Sequence, residues 1–471
     1  MTTVPDSSHA PVLGEATLGD FQASLRGALL RPGDDGYDAA RRVWNGMIDK
    51  RPALIARCAG AVDVITAVQF ARSHDLQVAV RGGGHNVAGH AVCDDGLVID
   101  LSPMKGVRVD PMARTARAQA GVTWGEFDRE TATFGLATTG GLISTTGIAG
   151  LTLGGGIGWL MRKYGLTCDN LLSVDIVTAD GQPMTVSATE NEDLFWGVRD
   201  GGGNFGIVTS FEYRLHRVTT VLGGMVFYPA AQARDVLRFF RAYTAAAPDE
   251  LTCLAVFLTA PPAPFLPAHL HGAPLVAIAV CYNGLVDEGE EVVRPLRVFG
   301  PPLVDLIRPM PYTALQSMLD ASAPAGLQNY WKAHYLSDLG DDTLDTLVAH
   351  AGGMTSPLSA VHIHQLGGAL SRVGEDETAV SYRDAPYAFN IVSAWLDPQG
   401  SERHIAWTRA FAAAMAPHST GGVYMNFLGD EGEERIRAAY GAATYDRLVD
   451  LKTRYDPTNL FCLNQNIRPR P

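Results

Sequence analysis

The segment Gln77-Val78-Ala79-Val80-Arg81-Gly82-Gly83-Gly84-His85-Asn86 carries the architecture of this chain. Its first half is a short strand, and the strand delivers the backbone into glycines that let another group approach closely. Two further glycine-rich runs follow: Gly140 to Gly158, which contains Leu153-Gly154-Gly155-Gly156-Ile157-Gly158, and Asp200-Gly201-Gly202-Gly203-Asn204-Phe205-Gly206. Glycine is the one compositional excess, 50 of 471 residues. Bare N–H groups in such loops cradle pyrophosphate, and several runs close in sequence point to a dinucleotide rather than a single phosphate.

The third run matches Gly201-x-Gly203-x-x-Gly206 to the letter, yet it is not a Rossmann fingerprint. That motif follows a strand and opens a helix, whereas these glycines enter the strand-like Ile207-Val208-Thr209-Ser210-Phe211. Outward from the first loop, Ala61 to His74 has helical spacing, Leu97–Ile99 and Val107–Val109 read as strands, and Gly125 to Phe134 returns to helix. Leu18 to Leu30 also has helical spacing, ending at the turn Arg31-Pro32-Gly33. Alternating strands and helices joined by short links indicate an α+β or α/β domain. After residue 218 the glycine clusters stop, and Ala- and Pro-rich helices alternate with strands such as Leu275–Val280. The expected division is a lead-in over 1–39, a ligand-binding domain over 40–218, a second domain over 219–420, and a closing segment over 421–471.

A length of 471 residues allows roughly two to four domains. With 46% hydrophobic and 18% charged residues, disorder, collagen and coiled coil are excluded. Thirty-seven basic against fifty acidic side chains, without long blocks, give a net charge of -13 and no nucleic-acid surface. Residues 1–10 lack the basic start and apolar run of a secretory signal, and no apolar stretch reaches about 18 residues, so a soluble cytoplasmic protein with no membrane partner is expected. Cysteines 58, 93, 168, 253, 281 and 462 show no paired spacing and read as reduced thiols.

His85 is either a surface-loop histidine or, in a loop open to close approach, a nucleophile toward an electrophilic cofactor carbon. His90 has no third ligand spaced to complete a metal site, so no metal is expected.

These residues resemble a known family. Arg81 to Asn86, Gly141 to Gly158, Asp193-Leu194-Phe195-Trp196 with Gly203-Asn204-Phe205-Gly206, and Tyr455-Asp456-Pro457-Thr458-Asn459 are similar, in order, to the berberine-bridge-enzyme-like flavoproteins of the vanillyl-alcohol-oxidase superfamily. The resemblance implies an α+β, two-domain fold. A PCMH-type FAD-binding domain would be paired with a substrate domain built on an antiparallel sheet covered by helices, and the carboxyl-terminal segment would return to the FAD domain. It implies FAD attached covalently through one histidine, His85, at the flavin's 8α-carbon. Relatives with a second, cysteinyl link carry that cysteine where Ile143 stands here, and no cysteine lies between Cys93 and Cys168. Single attachment is therefore expected.

Position by position, the resemblance assigns cofactor contact to Arg81, Gly82, Gly83, Gly84, His85, Asn86 and Gly89. It assigns the same to Thr139, Gly140, Gly141, Ser144, Thr145, Thr146, Gly147 and Gly150, to Ile207 and Val208 at the adenine end, and to Asn426 and Asn464. Flavin oxidation of an alcohol or amine needs a base to take a proton while hydride leaves carbon. Val361-His362-Ile363-His364 reads as a strand that puts both histidines on one face. Many relatives place a carboxylate near His364, so the imidazole takes that role here, with Tyr424 as the second candidate; Tyr330-Trp331-Lys332-Ala333-His334 lines a pocket or packs a core. The expected enzyme is an oxidase acting on a small natural product, alcohol, amine or polyketide-like, with dioxygen as acceptor. The alternative is oxygenating chemistry in secondary-metabolite maturation. A nicotinamide dehydrogenase is disfavoured by the absent fingerprint, and a non-catalytic flavin-binding protein stays open.

Overall fold

The strand that feeds the first glycine loop, Val78–Arg81, lies in a four-stranded sheet beside Leu97–Asp100, with Leu54–Arg57 on that strand's other side and Ala28–Leu30 at the edge. The computed structural model describes residues 13–471, so the first residues of the lead-in lie outside it. The inner pairings are parallel and the edge pairing is antiparallel. Helix Ala61–Ser73 supplies the crossover, burying Val64, Ala67, Val68 and Ala71 against this sheet. One expectation is corrected: the amino-terminal helix is Glu15–Ser24, and residues 28–30 pair as a strand with residues 55–57. Asp63 accepts from the N–H groups of Arg26, Gly27 and Ala59, and this bracket turns the chain out of helix before Leu30.

A second, antiparallel sheet has the order Val107–Asp110, Thr115–Gln119, Gly206–Arg214, Leu171–Thr178, Pro183–Ser187. Helix Trp124–Ala132 starts from a capping box in which Thr123 and Glu126 bond reciprocally. Its Trp124 and Phe127 pack on Tyr213 of that sheet.

From Thr220 the chain builds an eight-stranded sheet, ordered Val304–Asp305, Thr220–Pro229, Pro274–Tyr282, Leu251–Thr259, Ala360–Gln365, Tyr387–Trp395, Gln328–Leu336, with Arg308–Pro311 beside Thr220–Pro229. One face is covered by helices Ala233–Ala245, Val286–Val298, Asp341–Ala351 and Ser401–Met415, forming a core that includes Phe240, Val293, Leu344 and Phe411. The other face turns to the glycine loops, where Leu254, Val256 and Phe227 pack with Trp159 and Leu160. The alternation of side chains along a strand thus gives this sheet one helical and one loop-facing side. The carboxyl-terminal helix Ala442–Tyr455 returns to the first unit, burying Leu448 and Leu451 in its core. Each of the six cysteines is free, and among the described residues no helix is long and apolar enough to cross a membrane.

Candidate active site

The first two glycine runs meet backbone to backbone. A Cβ on Gly83 would lie 2.4 Å from the nitrogen of Gly147, and a Cβ on Gly147 would lie 2.4 Å from the nitrogen of Gly83. No side chain fits at either position. The third run joins the far end of the second, where the Gly202 N–H donates to the Leu153 carbonyl at 2.9 Å.

This close approach places His85 beside the second loop. Its Nε2 lies 3.1 Å from the Thr145 hydroxyl and its Nδ1 lies 3.5 Å from that of Thr146. Burial lowers the imidazole to about 4, against a smaller opposing pull from Asp320, so the ring is neutral at physiological pH and one nitrogen keeps a lone pair. Around it, the N–H groups of Gly82 to Val87 and of Gly140 to Ile143 donate no hydrogen bond among the described residues. Rows of unpaired donors on facing glycine loops fit the pyrophosphate of a dinucleotide, and a neutral imidazole between them fits attack on an electrophilic carbon.

A line of rings leads away from His85. Trp44 stacks on it at 5.3 Å, Trp331 meets Trp44 at 5.6 Å, Phe427 meets Trp331 at 6.0 Å, and His364 meets Phe427 at 5.5 Å. His362 follows at 5.7 Å. His362 and His364 share the loop-facing side of the sheet, opposite Val256 and Leu254 in register, while Val361 and Ile363 enter the helical core. His364 Nε2 and the Oδ1 of Asn390, whose backbone pairs with His362, are buried without partners among the described residues. Burial lowers His362 to about 4 and His364 well below its ordinary value, so this surface is uncharged at neutral pH.

The other candidate residues divide by what holds them. Tyr424 is buried, and its hydroxyl oxygen receives the N–H groups of Gly156 and Ile157 at 3.0 Å each and the Asn426 amide at 2.9 Å. The same Asn426 amide donates to the carbonyls of Leu151 and Gly154, so both side chains brace the second glycine run. Ser144 bonds through its N–H and hydroxyl to Asp320, and Thr139 donates to the Gly165 carbonyl. Arg81 donates to the Ala40 carbonyl, and Asn86 accepts from the His90 N–H. Gly89, at φ 76°, packs beneath Ile48, whereas Gly150 faces open space. Ile207 and Val208 pack within the apolar core, and Asn464 donates to Phe461 while its Oδ1 is buried and unpartnered.

Trp44, Asn45, Asp320 and Asn390 escaped the sequence reading. The Asn45 amide donates to the carbonyls of Val87 and Asn329, and its Oδ1 accepts from the Asn329 N–H, tying the His85 loop to the large sheet. The turn-forming pair Asn45-Gly46 was the available signal; Asp320 and Asn390 carry none.

Residues 52–187 match the family model described as an FAD binding domain, and residues 423–468 match the model described as berberine and berberine like. The chain is 32% identical to an FAD-linked oxidoreductase of Dictyostelium discoideum over 96% of this chain and 97% of that one. This protein belongs to the berberine-bridge-enzyme-like FAD-linked oxidoreductases. The (R)-6-hydroxynicotine oxidase of Paenarthrobacter nicotinovorans is 31% identical to this FAD-linked oxidoreductase, over 95% of this chain and 97% of that one. The crystal structure of 6-hydroxy-D-nicotine oxidase from Arthrobacter nicotinovorans superposes with a TM-score of 0.85 at 30% identity, covering 95% of this chain and 99% of that one.

Proposed function

We propose that this FAD-linked oxidoreductase is an oxidase that holds its FAD covalently through His85 alone and oxidises a small natural product, with dioxygen as the final acceptor. The observation that carries the reading is the neutral His85 imidazole set between two glycine loops in which the N–H groups of residues 82–87 and 140–143 have no partner among the described residues. The similarity to a protein named as an oxidase supports dioxygen use. Bound FAD supplies the hydride acceptor and passes the electrons on to dioxygen.

The chain's own residues do the rest. Backbone N–H groups of the 82–87 and 140–143 segments hold the pyrophosphate. Trp331, His362 and Asn390 offer the substrate a surface that is half aromatic and half hydrogen-bonding, without formal charge. The unpartnered Nε2 of His364 receives the hydroxyl or amine proton as the carbon–hydrogen bond breaks. His364 is itself buried, which keeps bulk water from that proton transfer.

The test is anaerobic mixing with a panel of neutral alcohols, amines and polyketide-like phenols. A substrate bleaches the visible flavin band, and admitting air restores it with one peroxide per turnover. No bleaching by any of them, in a protein that stays yellow, contradicts the oxidase reading.

A further inference from the structure

Trp44 and His85 lie nearly parallel, with ring centroids 5.3 Å apart and planes 19° from each other. The tryptophan is fixed from several directions. Its N–H donates to the Gly84 carbonyl at 3.0 Å, its carbonyl accepts from the Gly326 N–H at 2.9 Å, and its indole N–H donates to the Ala323 carbonyl at 2.9 Å. The indole is therefore anchored both to the loop that carries His85 and to the segment leading into the strand Gln328–Leu336. On the imidazole's edges stand the hydroxyls of Thr145 and Thr146. Hydroxyls rotate to suit either tautomer, so they do not by themselves fix the ring plane; the flat indole face does.

We infer that Trp44 is the positioning residue for bond formation at His85, setting the imidazole plane so that one ring nitrogen directs its lone pair at the flavin. The inference rests on the attachment proposed above. In that reaction a carbon–nitrogen bond forms between the imidazole and the flavin's 8α-methyl carbon. The methyl group and the imidazole N–H each release one proton, and the electron pair left on the flavin passes to dioxygen, which leaves with both protons as hydrogen peroxide. Trp44 exchanges neither protons nor electrons; it contributes orientation, whose loss slows a bond-forming step without weakening non-covalent binding.

The experiment uses apoprotein from riboflavin-starved cells, for the wild type, Trp44→Leu and Trp44→Phe, each given FAD in air. Flavin bound to the native protein and flavin retained after denaturation are followed against time. Trp44→Leu is expected to bind FAD to the wild-type extent while its retained fraction rises at least about tenfold more slowly. Trp44→Phe, which restores an aromatic face, falls between the two. Attachment by Trp44→Leu at the wild-type rate overturns the inference, and so does a parallel loss of native binding and attachment, which marks a merely structural residue. If Trp44→Leu does not fold, Trp44→Phe decides alone: slower attachment with unchanged binding is expected, and equal rates overturn it. Wild-type protein that releases its flavin on denaturation contradicts the attachment reading itself, a result separable from the Trp44 outcome because it needs no variant.

Discussion

Tyr424 and His364 both pack on the Phe427 ring, at 4.8 and 5.5 Å between centroids, yet their polar atoms meet different surroundings. Three N–H donors converge on the Tyr424 oxygen, whereas His364 Nε2 has none. Tyr424→Phe leaves the buried N–H groups of Gly156 and Ile157 unpaired at a cost of about 1–3 kcal/mol each, read as a lower unfolding midpoint. His364→Ala, under the proposed role, leaves flavin content unchanged and lowers turnover about a hundred- to ten-thousand-fold. Because burial keeps His364 neutral, turnover stays flat across about pH 6–8; an inflection near the ordinary histidine value would contradict that environment. His85 and the histidine pair were legible because a glycine loop and a two-residue alternation are local patterns. Trp44 was not: its meaning lies in a ring 41 positions away, and its hydrogen bond runs to Ala323, contacts that no local periodicity encodes.

At the scale of elements, the glycine runs were legible as loops, but which of them touch was not. Gly83 and Gly147 approach so closely that Gly147→Ala drives a methyl group into backbone, and the protein should lose its yellow colour together with part of its stability. A yellow, fully stable Gly147→Ala would show that the loops do not meet in this way. Tyr455-Asp456-Pro457-Thr458-Asn459, one of the motifs that carry the resemblance, takes part in a buried charge pair. Lys452 Nζ meets Asp456 at 2.7 Å with both side chains fully buried, and it also donates to the Asn204 and Phe461 carbonyls. Lys452→Met strands the Asp456 carboxylate, a loss of about 3–5 kcal/mol. Proteolysis should then cut after residue 456 well before the rest of the chain unfolds. The strand at 28–30 was missed because helical spacing continues past Ser24, while the Asp63 bracket that ends the helix comes from a distant element.

For the whole molecule, ionisation sets stability limits on both sides of neutrality. Burial lowers His85, His90, His216, His334 and His362 to about 4, so the stability they contribute is present above the ordinary histidine value and lost as pH falls toward 4. Asp128, where helix Trp124–Ala132 meets helix Tyr312–Gln316, acts in the opposite direction. Both of its oxygens are buried, neither within good hydrogen-bonding geometry of a partner among the described residues, and burial pushes the carboxyl up to about 8, offset in part by the neighbouring Gln316 amide. Its contribution is complete below the unfolded value of about 4 and disappears as pH rises through 8. The unfolding midpoint of Asp128→Asn should therefore match the wild type near pH 4 and exceed it increasingly toward about pH 9; a constant difference would place Asp128 in water. The central claim, one covalent link between FAD and His85, is tested by denaturing the yellow protein, separating precipitate from supernatant and weighing the intact chain. Colour and a single added FAD mass that stay with the wild-type chain but are absent from His85→Ala are the predicted result, and flavin free in the wild-type supernatant would contradict it.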